Sequence, residues 1–159
     1  MHLTATSTDL LTATQYAYWM AVLRIGLGAW WLKSFAHKDL GGWLKRGSGI
    51  EWGGSVAEKH KWGFVKTGFD KVVRPHPIPM AYVVVFSELA LGLGLVLGLL
   101  TPVALVAGIL LNLLYFVLMI SDWAEQGQNL MMILAAAVAL GTRSWAVLSL
   151  DHVLHLFGA

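Results

Sequence analysis

The most constraining feature of this sequence is a nearly continuous apolar stretch from Pro79 to Ile120. Apart from Ser87, Glu88, Thr101, Pro102, Asn112 and Tyr115, the stretch is almost wholly apolar. Two helices of about 20 residues, joined at the Thr101-Pro102 pair, fit this length, and each would cross roughly 30 Å of hydrocarbon. The stretch therefore predicts two consecutive membrane-spanning helices.

The composition indicates a membrane protein rather than a soluble one with a large core. Only 13% of the 159 residues are charged and 57% are hydrophobic, whereas roughly 25% of the residues of a soluble domain are charged. There is no cysteine, which excludes a disulfide, a cysteine-ligated metal or iron–sulfur centre and a dithiol mechanism. The net charge of +2 is too small to indicate a nucleic-acid partner.

We predict a single domain, 1–159, with an all-α fold: an integral membrane antiparallel four-helix bundle. The apolar segments place its spans at about 15–35, 79–100, 102–120 and 126–141. The connection 36–77 is too long to lack structure, and we expect a basic amphipathic helix at the membrane interface over Lys59–Arg74. A short terminal helix is expected over Trp145–Phe157.

The distribution of basic residues predicts the topology. Eight of the eleven Lys and Arg residues lie between Lys38 and Arg74. Because loops rich in Lys and Arg stay in the cytoplasm, we expect the long first connection inside the cell and both termini outside.

Polar residues inside the predicted spans are the candidate functional residues. Counting from the span ends places Arg24, Glu88 and Asn112 near the membrane midplane, about nine or ten residues deep. An unpaired charge there costs roughly 2.5–3.5 kcal/mol, so we predict a buried Arg24–Glu88 ion pair beside Asn112. Such a pair either fixes helix register or lines a polar pocket for a quinone headgroup, an anion or a proton path.

Other polar and aromatic residues are candidate contacts for a quinone or an anion: Lys33, Trp30 and Trp31 near the end of the first span, and Asn129 in the fourth. Each also has a structural interpretation, as an interface anchor or an interhelix hydrogen bond. No histidine lies inside a span, so neither a haem held between spans nor a metal site is predicted.

Three short segments resemble the DoxX/DoxD family of membrane proteins. They are Arg24-Ile-Gly-Leu-Gly28 followed by Lys33; Glu88-Leu-Ala-Leu-Gly92-Leu-Gly94 running on to Thr101-Pro102; and Asn129 with the later Leu148-Ser149-Leu150-Asp151. The long tryptophan-containing first connection is more similar to the DoxD branch.

The resemblance implies a four-helix protein of a prokaryotic cytoplasmic membrane, with characteristic positions at Arg24, Lys33, Glu88, Asn129 and Asp151. It also implies a small subunit of a thiosulfate:quinone oxidoreductase, which oxidises thiosulfate to tetrathionate and reduces membrane quinone.

Three functions remain open from the sequence. In an enzyme subunit, Arg24 and Lys33 would hold an anion or a quinone oxygen, and Glu88 would accept protons. In an accessory subunit, the chain would dock onto other membrane subunits through its small-residue helix faces and tryptophan-rich loop. A small transporter is the third, although no broken helix pair of the usual kind is present.

Overall fold

The computed structural model describes residues 7–158, and every regular element in that range is helical. This confirms the predicted all-α class. The eight α-helices are α1 Ser7–Ala36, α2 Leu40–Arg46, α3 Ser48–Glu58, α4 Gly63–Gly68, α5 Pro77–Leu97, α6 Thr101–Leu118, α7 Trp123–Gly141 and α8 Leu150–Val153. A π-helical turn, Phe69–Val73, extends α4, and a 3₁₀ turn lies at Leu156–Gly158.

The long apolar stretch forms α5 and α6. Within residues 7–158 these are the two helices long and apolar enough to cross a membrane. Pro77 and Pro102 lie in their first turns, where a backbone N–H has no helical acceptor to lose. The turn between them has left-handed backbone at Gly98 (φ 67°) and Leu100 (φ 52°).

Two of the other long helices begin earlier than predicted. α1 starts by Ser7 rather than near residue 15, because no proline or glycine interrupts the threonine-rich segment before Gln15. α7 starts at Trp123 rather than near residue 126, because the Asp122 carboxylate accepts hydrogen bonds from the backbone N–H groups of Ala124 and Glu125. Such a cap satisfies amides that the helix itself cannot.

α1 and α5 pack antiparallel at backbone contact distance. A Cβ on Gly28 would lie 2.7 Å from Val96 N and 2.9 Å from Gly92 O, and one on Gly92 would lie 2.6 Å from the Leu32 side chain. Glycine is therefore required at both positions. This contact fixes the register, so that residues near Gly98 face Arg24.

The remaining long-helix contacts complete the core. α6 packs mainly against α7, with smaller contacts between α5 and α6 and between α1 and α7. The buried residues that the long helices share, together with one tryptophan after α7, are Leu27, Trp31, Leu91, Leu95, Ala104, Leu105, Met132, Ala136, Ala139 and Trp145.

The connection 36–77 contains short helices, as its length predicted. The predicted bounds of the helix over Lys59–Arg74 are wrong. Helical backbone begins at Gly63 and ends in the π-helical turn. Arg74 at the end of that turn bonds to Glu58 at 2.9 Å. His60 Nε2 lies 2.8 Å from Val117 O and ties the connection to the end of α6.

The predicted Trp145–Phe157 helix is wrong. Only Leu150–Val153 is α-helical there, and Leu148 (φ 50°) and His155 (φ 52°) have left-handed backbone that a helix cannot contain. The segment instead folds back over the α5–α6 turn. Asp151 N donates to Gly98 O at 2.8 Å, and its carboxylate accepts from Leu100 N and Thr101 N at 2.8 and 2.7 Å.

Several polar side chains are buried, and many large apolar side chains are exposed. The buried polar residues are Arg24, Glu88, Thr101, Asn112, Asn129, Ser144, Ser149 and Asp151. The outer faces of α5, α6 and α7 expose large apolar residues: Val83, Phe86, Leu93, Leu97, Val103, Val106, Leu110, Leu113, Leu114, Leu130, Met131, Leu134 and Val138.

Candidate functional site

Glu88 lies at the centre of a hydrogen-bonded group at the junction of α1, α5 and α6. Its carboxylate is 2% exposed and forms an ion pair with Lys38. Ser34 Oγ donates to Glu88 Oε2 at 3.1 Å, and the Tyr115 hydroxyl donates to Oε1 at 3.2 Å. We call these four residues, Ser34, Lys38, Glu88 and Tyr115, the Glu88 cluster.

The predicted Arg24–Glu88 pair is wrong. Arg24 faces Gly98, which lies about ten residues beyond Glu88 on α5 and therefore roughly 15 Å along the helix axis. The expected span ends put Arg24 and Glu88 at the same depth in the membrane. The register set by Gly28 and Gly92 places Arg24 at the α5–α6 turn instead.

Of the four members of the cluster, the sequence identifies Glu88 as a candidate but not Ser34, Lys38 or Tyr115. Lys38 follows the end of α1, outside the predicted first span, and reaches back across the helix end to Glu88. Its Nζ also donates to the backbone oxygen of Ser34 at 3.2 Å. A usable signal was present, because Ser34 and Lys38 are four residues apart and side chains at that spacing meet on one face of a helix.

The cluster runs from the protein's edge into its interior. The Lys38 side chain is 11% exposed, and its Nζ lies 5.0 Å from the centre of the Trp43 ring on α2. The hydrogen-bonded chain continues through the buried Glu88 to Tyr115, which is partly buried. Lys38, Glu88 and Tyr115 therefore form one continuous polar chain between the α2 side of the protein and α6.

Arg24 is fully buried and lies apart from the Glu88 cluster. Its Nη2 donates to Leu148 O at 2.6 Å, while Nε and Nη1 have no hydrogen-bond partner in the described part of the chain. The Asp151 carboxylate attracts Arg24 electrostatically but forms no ion pair with it. Both of its oxygens instead accept hydrogen bonds from backbone N–H groups.

The two candidate amides are buried but bond within their own helices. Asn112 Nδ2 donates to Gly108 O at 3.0 Å, and Asn129 Nδ2 donates to Glu125 O at 2.7 Å. Counting back from the α5–α6 turn places Asn112 level with Glu88. Both amides therefore add polar groups to the interior at the depth of the cluster.

The remaining candidates lie apart from the cluster. Lys33 is exposed, with its Nζ 4.7 Å from the centre of the Trp30 ring, a cation–π contact at the outer surface. Trp31 is buried in the core, and its Nε1 would lie 3.6 Å from a Cβ on Gly108. Binding of a quinone or anion at these residues stays a prediction.

Two surface clefts of about 380 and 390 Å³ lie away from Glu88. The first is bordered by α3 and Arg74, and the second is an apolar groove on α6 near Pro102 and Leu110. Within residues 7–158, no group of three or more His, Asp or Glu side chains is placed to hold a metal ion.

Comparison with known proteins adds no relative. No protein-family model, no curated protein and no solved structure matches this chain. The function must therefore be argued from the residues and their geometry.

Proposed function

We propose that the chain is an integral membrane subunit of a quinone-linked oxidoreductase, folded as an antiparallel four-helix bundle of α1, α5, α6 and α7. The apolar outer faces of α5, α6 and α7 support the membrane location, because an exposed apolar surface of this extent is unfavourable in water. Glu88 and Asn112 face inward and have hydrogen-bond partners inside the protein, as hydrocarbon requires.

α1 and α7 complete the bundle although they are less apolar than α5 and α6. Their interior positions carry the polar residues Arg24 and Asn129, which lowers their overall hydropathy. The outward face of α7 is apolar, with Leu130, Met131 and Leu134 exposed. The basic first connection then lies in the cytoplasm, as its lysine and arginine content predicts.

The observation that carries the catalytic part is the hydrogen-bonded chain from Lys38 through Glu88 to Tyr115. Reduction of a quinone consumes two electrons and two protons, and those protons must reach a headgroup that sits away from bulk water. A buried carboxylate held by a lysine and a tyrosine can take a proton from the Lys38 side and pass it on to Tyr115. An ionisable group at membrane depth is expected to serve such a pathway.

The resemblance to the DoxD branch suggests the electron donor. Two thiosulfate ions release two electrons when they join as tetrathionate, and these electrons balance the reduction of one quinone to a quinol. Because the chain has no cysteine, this sulfur chemistry cannot pass through a cysteine persulfide on it. Other subunits of the complex supply the electron path.

The test compares two glutamate variants in the complex purified in mild detergent. With thiosulfate and a soluble quinone analogue, Glu88→Gln is expected to lower quinone reduction roughly 100-fold, because a positioned proton carrier contributes at least that much. Glu125→Gln, on the exposed first turn of α7, is the matched control and keeps full activity. An active Glu88→Gln complex would remove the proton-carrier role.

A specific observation favours a second candidate, a non-catalytic accessory subunit. Both Glu88 carboxylate oxygens are already bonded within the protein, and neither surface cleft adjoins them. In that case the cluster locks α1 to α5. Glu88→Gln would then lower the melting temperature of the complex while its turnover stays unchanged.

A further inference from the structure

The connection between α1 and α5 exposes apolar side chains on one side of α4 and its π-helical turn. Phe64 is 70% exposed and Val72 60%, and eight residues separate them, a spacing that brings both to one side of a helix. The exposed Trp62 ring stacks on Phe64 with the ring centres 5.7 Å apart. Phe69, by contrast, packs on α3, where a Cβ on Gly53 would lie 3.3 Å from its ring. Exposed apolar groups gathered in this way mark an interaction surface.

The same connection carries an excess of positive charge. Three of its four carboxylates pair with its two arginines, in the contacts Arg46–Asp39, Arg74–Glu58 and Arg74–Asp70. Five exposed lysines have no acidic partner at ion-pair distance in the described part of the chain: Lys45, Lys59, Lys61, Lys66 and Lys71. The connection therefore complements a negatively charged partner.

Two of these lysines border the apolar side chains directly. Lys61 precedes Trp62, and Lys71 precedes Val72 and follows Phe64 by seven residues, about two helical turns. Lysine side chains can lay their alkyl stems along apolar surface while the ammonium group stays in water. We call these five residues, Lys61, Trp62, Phe64, Lys71 and Val72, the α4 surface.

The α4 surface is held at one end of the bundle. His60 Nε2 lies 2.8 Å from Val117 O in the last turn of α6, and the His60 ring meets the Trp62 ring edge-on with the centres 5.6 Å apart. The outward side of α6 is apolar, with Leu110 and Leu114 exposed. The α4 surface therefore lies where the apolar exterior of the bundle ends, which is the headgroup level in the proposed membrane orientation.

We propose that the α4 surface binds an anionic phospholipid. Lys61 and Lys71 contact the negative headgroup, and Trp62, Phe64 and Val72 contact the glycerol and the upper part of the acyl chains. Aromatic side chains favour this depth with any lipid, but the unbalanced lysines select a negative headgroup. The inference rests on the membrane location proposed above and is independent of the quinone chemistry.

The test measures which lipid lies beside the α4 surface. Thr67, exposed on α4 between Phe64 and Lys71, is replaced by cysteine and labelled with a fluorophore, since the chain has no native cysteine. The full-length protein is reconstituted in phosphatidylcholine vesicles that contain a small fraction of either phosphatidylglycerol or phosphatidylcholine with identical brominated acyl chains. Bromine quenches the fluorophore, so the difference in quenching reports the preference for one headgroup.

The expected preference at Thr67→Cys is roughly 25-fold for phosphatidylglycerol, from about fivefold for each of two lysines at an anionic headgroup. The double variant Lys61→Gln/Lys71→Gln in the same labelled protein should show no preference. Lys33→Gln/Lys45→Gln removes the same charge from exposed positions on α1 and α2 and keeps the wild-type preference.

A second pair of variants separates the apolar contact from the charge. Phe64→Ser should lower quenching at Thr67→Cys by both brominated lipids while the preference for phosphatidylglycerol remains, because the lysines are unchanged. Leu154→Ser, exposed on the terminal segment at the other end of the bundle, is the matched control and keeps the wild-type quenching.

A fluorophore at Leu114→Cys distinguishes failure of this proposal from failure of the membrane location. Both lipids should quench it equally if α6 faces lipid. Quenching at Leu114→Cys combined with no headgroup preference at Thr67→Cys would overturn the lipid site alone, whereas no quenching at either position would overturn the membrane location as well.

Two further results would overturn the lipid site. One is an equal loss of preference in both double lysine variants, which would assign the preference to diffuse charge rather than to the α4 surface. The other is a saturable change in Thr67→Cys fluorescence with soluble polyglutamate in the absence of any lipid preference. That outcome would assign the surface to an acidic protein.

Discussion

Glu88 shows how a single buried charge determines what must surround it. A carboxylate inside an apolar helix is stable only with a counter-charge and hydrogen bonds. Lys38 supplies the charge, and Ser34 and Tyr115 supply the hydrogen bonds. The cluster therefore joins the end of α1 to the middle of α5 and to α6, and its loss would affect helix packing as well as any proton transfer.

Replacement of Lys38 by methionine tests this pairing. Lys38→Met leaves the Glu88 carboxylate buried without its counter-charge, and breaking a buried pair in this way costs about 3–5 kcal/mol. We expect a corresponding loss in the free energy of unfolding, measured by denaturant titration in mixed micelles. Lys33→Met is the matched control, since Lys33 contacts only the Trp30 ring at the surface and should cost less than about 1 kcal/mol.

A double-mutant cycle separates Lys38 from Arg24 as the partner of Glu88. Lys38→Met combined with Glu88→Gln should be far from additive, because the two groups are in contact. Arg24→Gln combined with Glu88→Gln should be additive within about 0.5 kcal/mol, as expected for sites more than roughly 10 Å apart. Strong coupling of Arg24 to Glu88 would contradict the register of α1 and α5.

The sequence identifies the buried polar residues but not the partner of Glu88, because the two depend on different physical causes. Arg24, Glu88, Asn112 and Asn129 stand out because each is polar in an apolar run, and all four are buried as expected. The partner of Glu88 depends on how α1 slides along α5. That register is set by a backbone contact at Gly28, which no count of residues along a span reveals.

At the scale of elements, sequence pattern predicts the helices that are uniformly apolar and loses accuracy where tertiary contacts decide. α5 and α6 follow from their apolar composition and from the predicted break at Thr101-Pro102, which lies at the start of α6. In the connection between α1 and α5, α3 packs through Gly49 directly beneath the Trp43 ring of α2. The terminal segment is held by Asp151 rather than by helical periodicity, so its predicted helix is wrong.

The ion pair between α3 and the π-helical turn gives a pH-dependent prediction for this connection. The hydrogen bond from Arg74 holds the pKa of Glu58 below its usual range. The folded state therefore favours the ionised carboxylate, and the contribution to stability is present above the unfolded pKa of about 4.3. It disappears as the pH falls through the lower, folded pKa.

The measurement is the difference in hydrogen exchange between Glu58→Gln and the wild type over α3 and the π-helical turn. We expect faster exchange in the variant at pH 7 and equal exchange in both proteins well below pH 4, where the wild-type Glu58 carboxyl is as neutral as the amide that replaces it in the variant. Glu51→Gln, also exposed on α3, should match the wild type at both pH values. A difference that persists at low pH would assign the effect to shape rather than charge.

The whole molecule has two polar centres inside an apolar exterior, and they lie at different depths. The Glu88 cluster adjoins the short helices of the first connection, whereas Arg24 lies beneath the terminal segment at the α5–α6 turn. If the bundle spans a membrane, each centre is nearest to a different face. In the proposed orientation, the Glu88 cluster lies nearer the cytoplasmic face and Arg24 nearer the outer face.

Cysteine accessibility tests this orientation without background, because the chain has no native cysteine. In intact cells, a membrane-impermeant maleimide should label His152→Cys at the terminal end. Lys59→Cys in the first connection should react only after the membrane is permeabilised.

Leu114→Cys is the decisive position, because Leu114 on α6 is 67% exposed in the isolated chain. A water-soluble protein with this fold would be labelled there as readily as at Lys59→Cys. A membrane bundle buries the same side chain in lipid, so the maleimide should fail to react before and after permeabilisation and react only once the protein is denatured. Prompt labelling of Leu114→Cys in permeabilised cells would contradict the membrane location, whatever the result at the two ends.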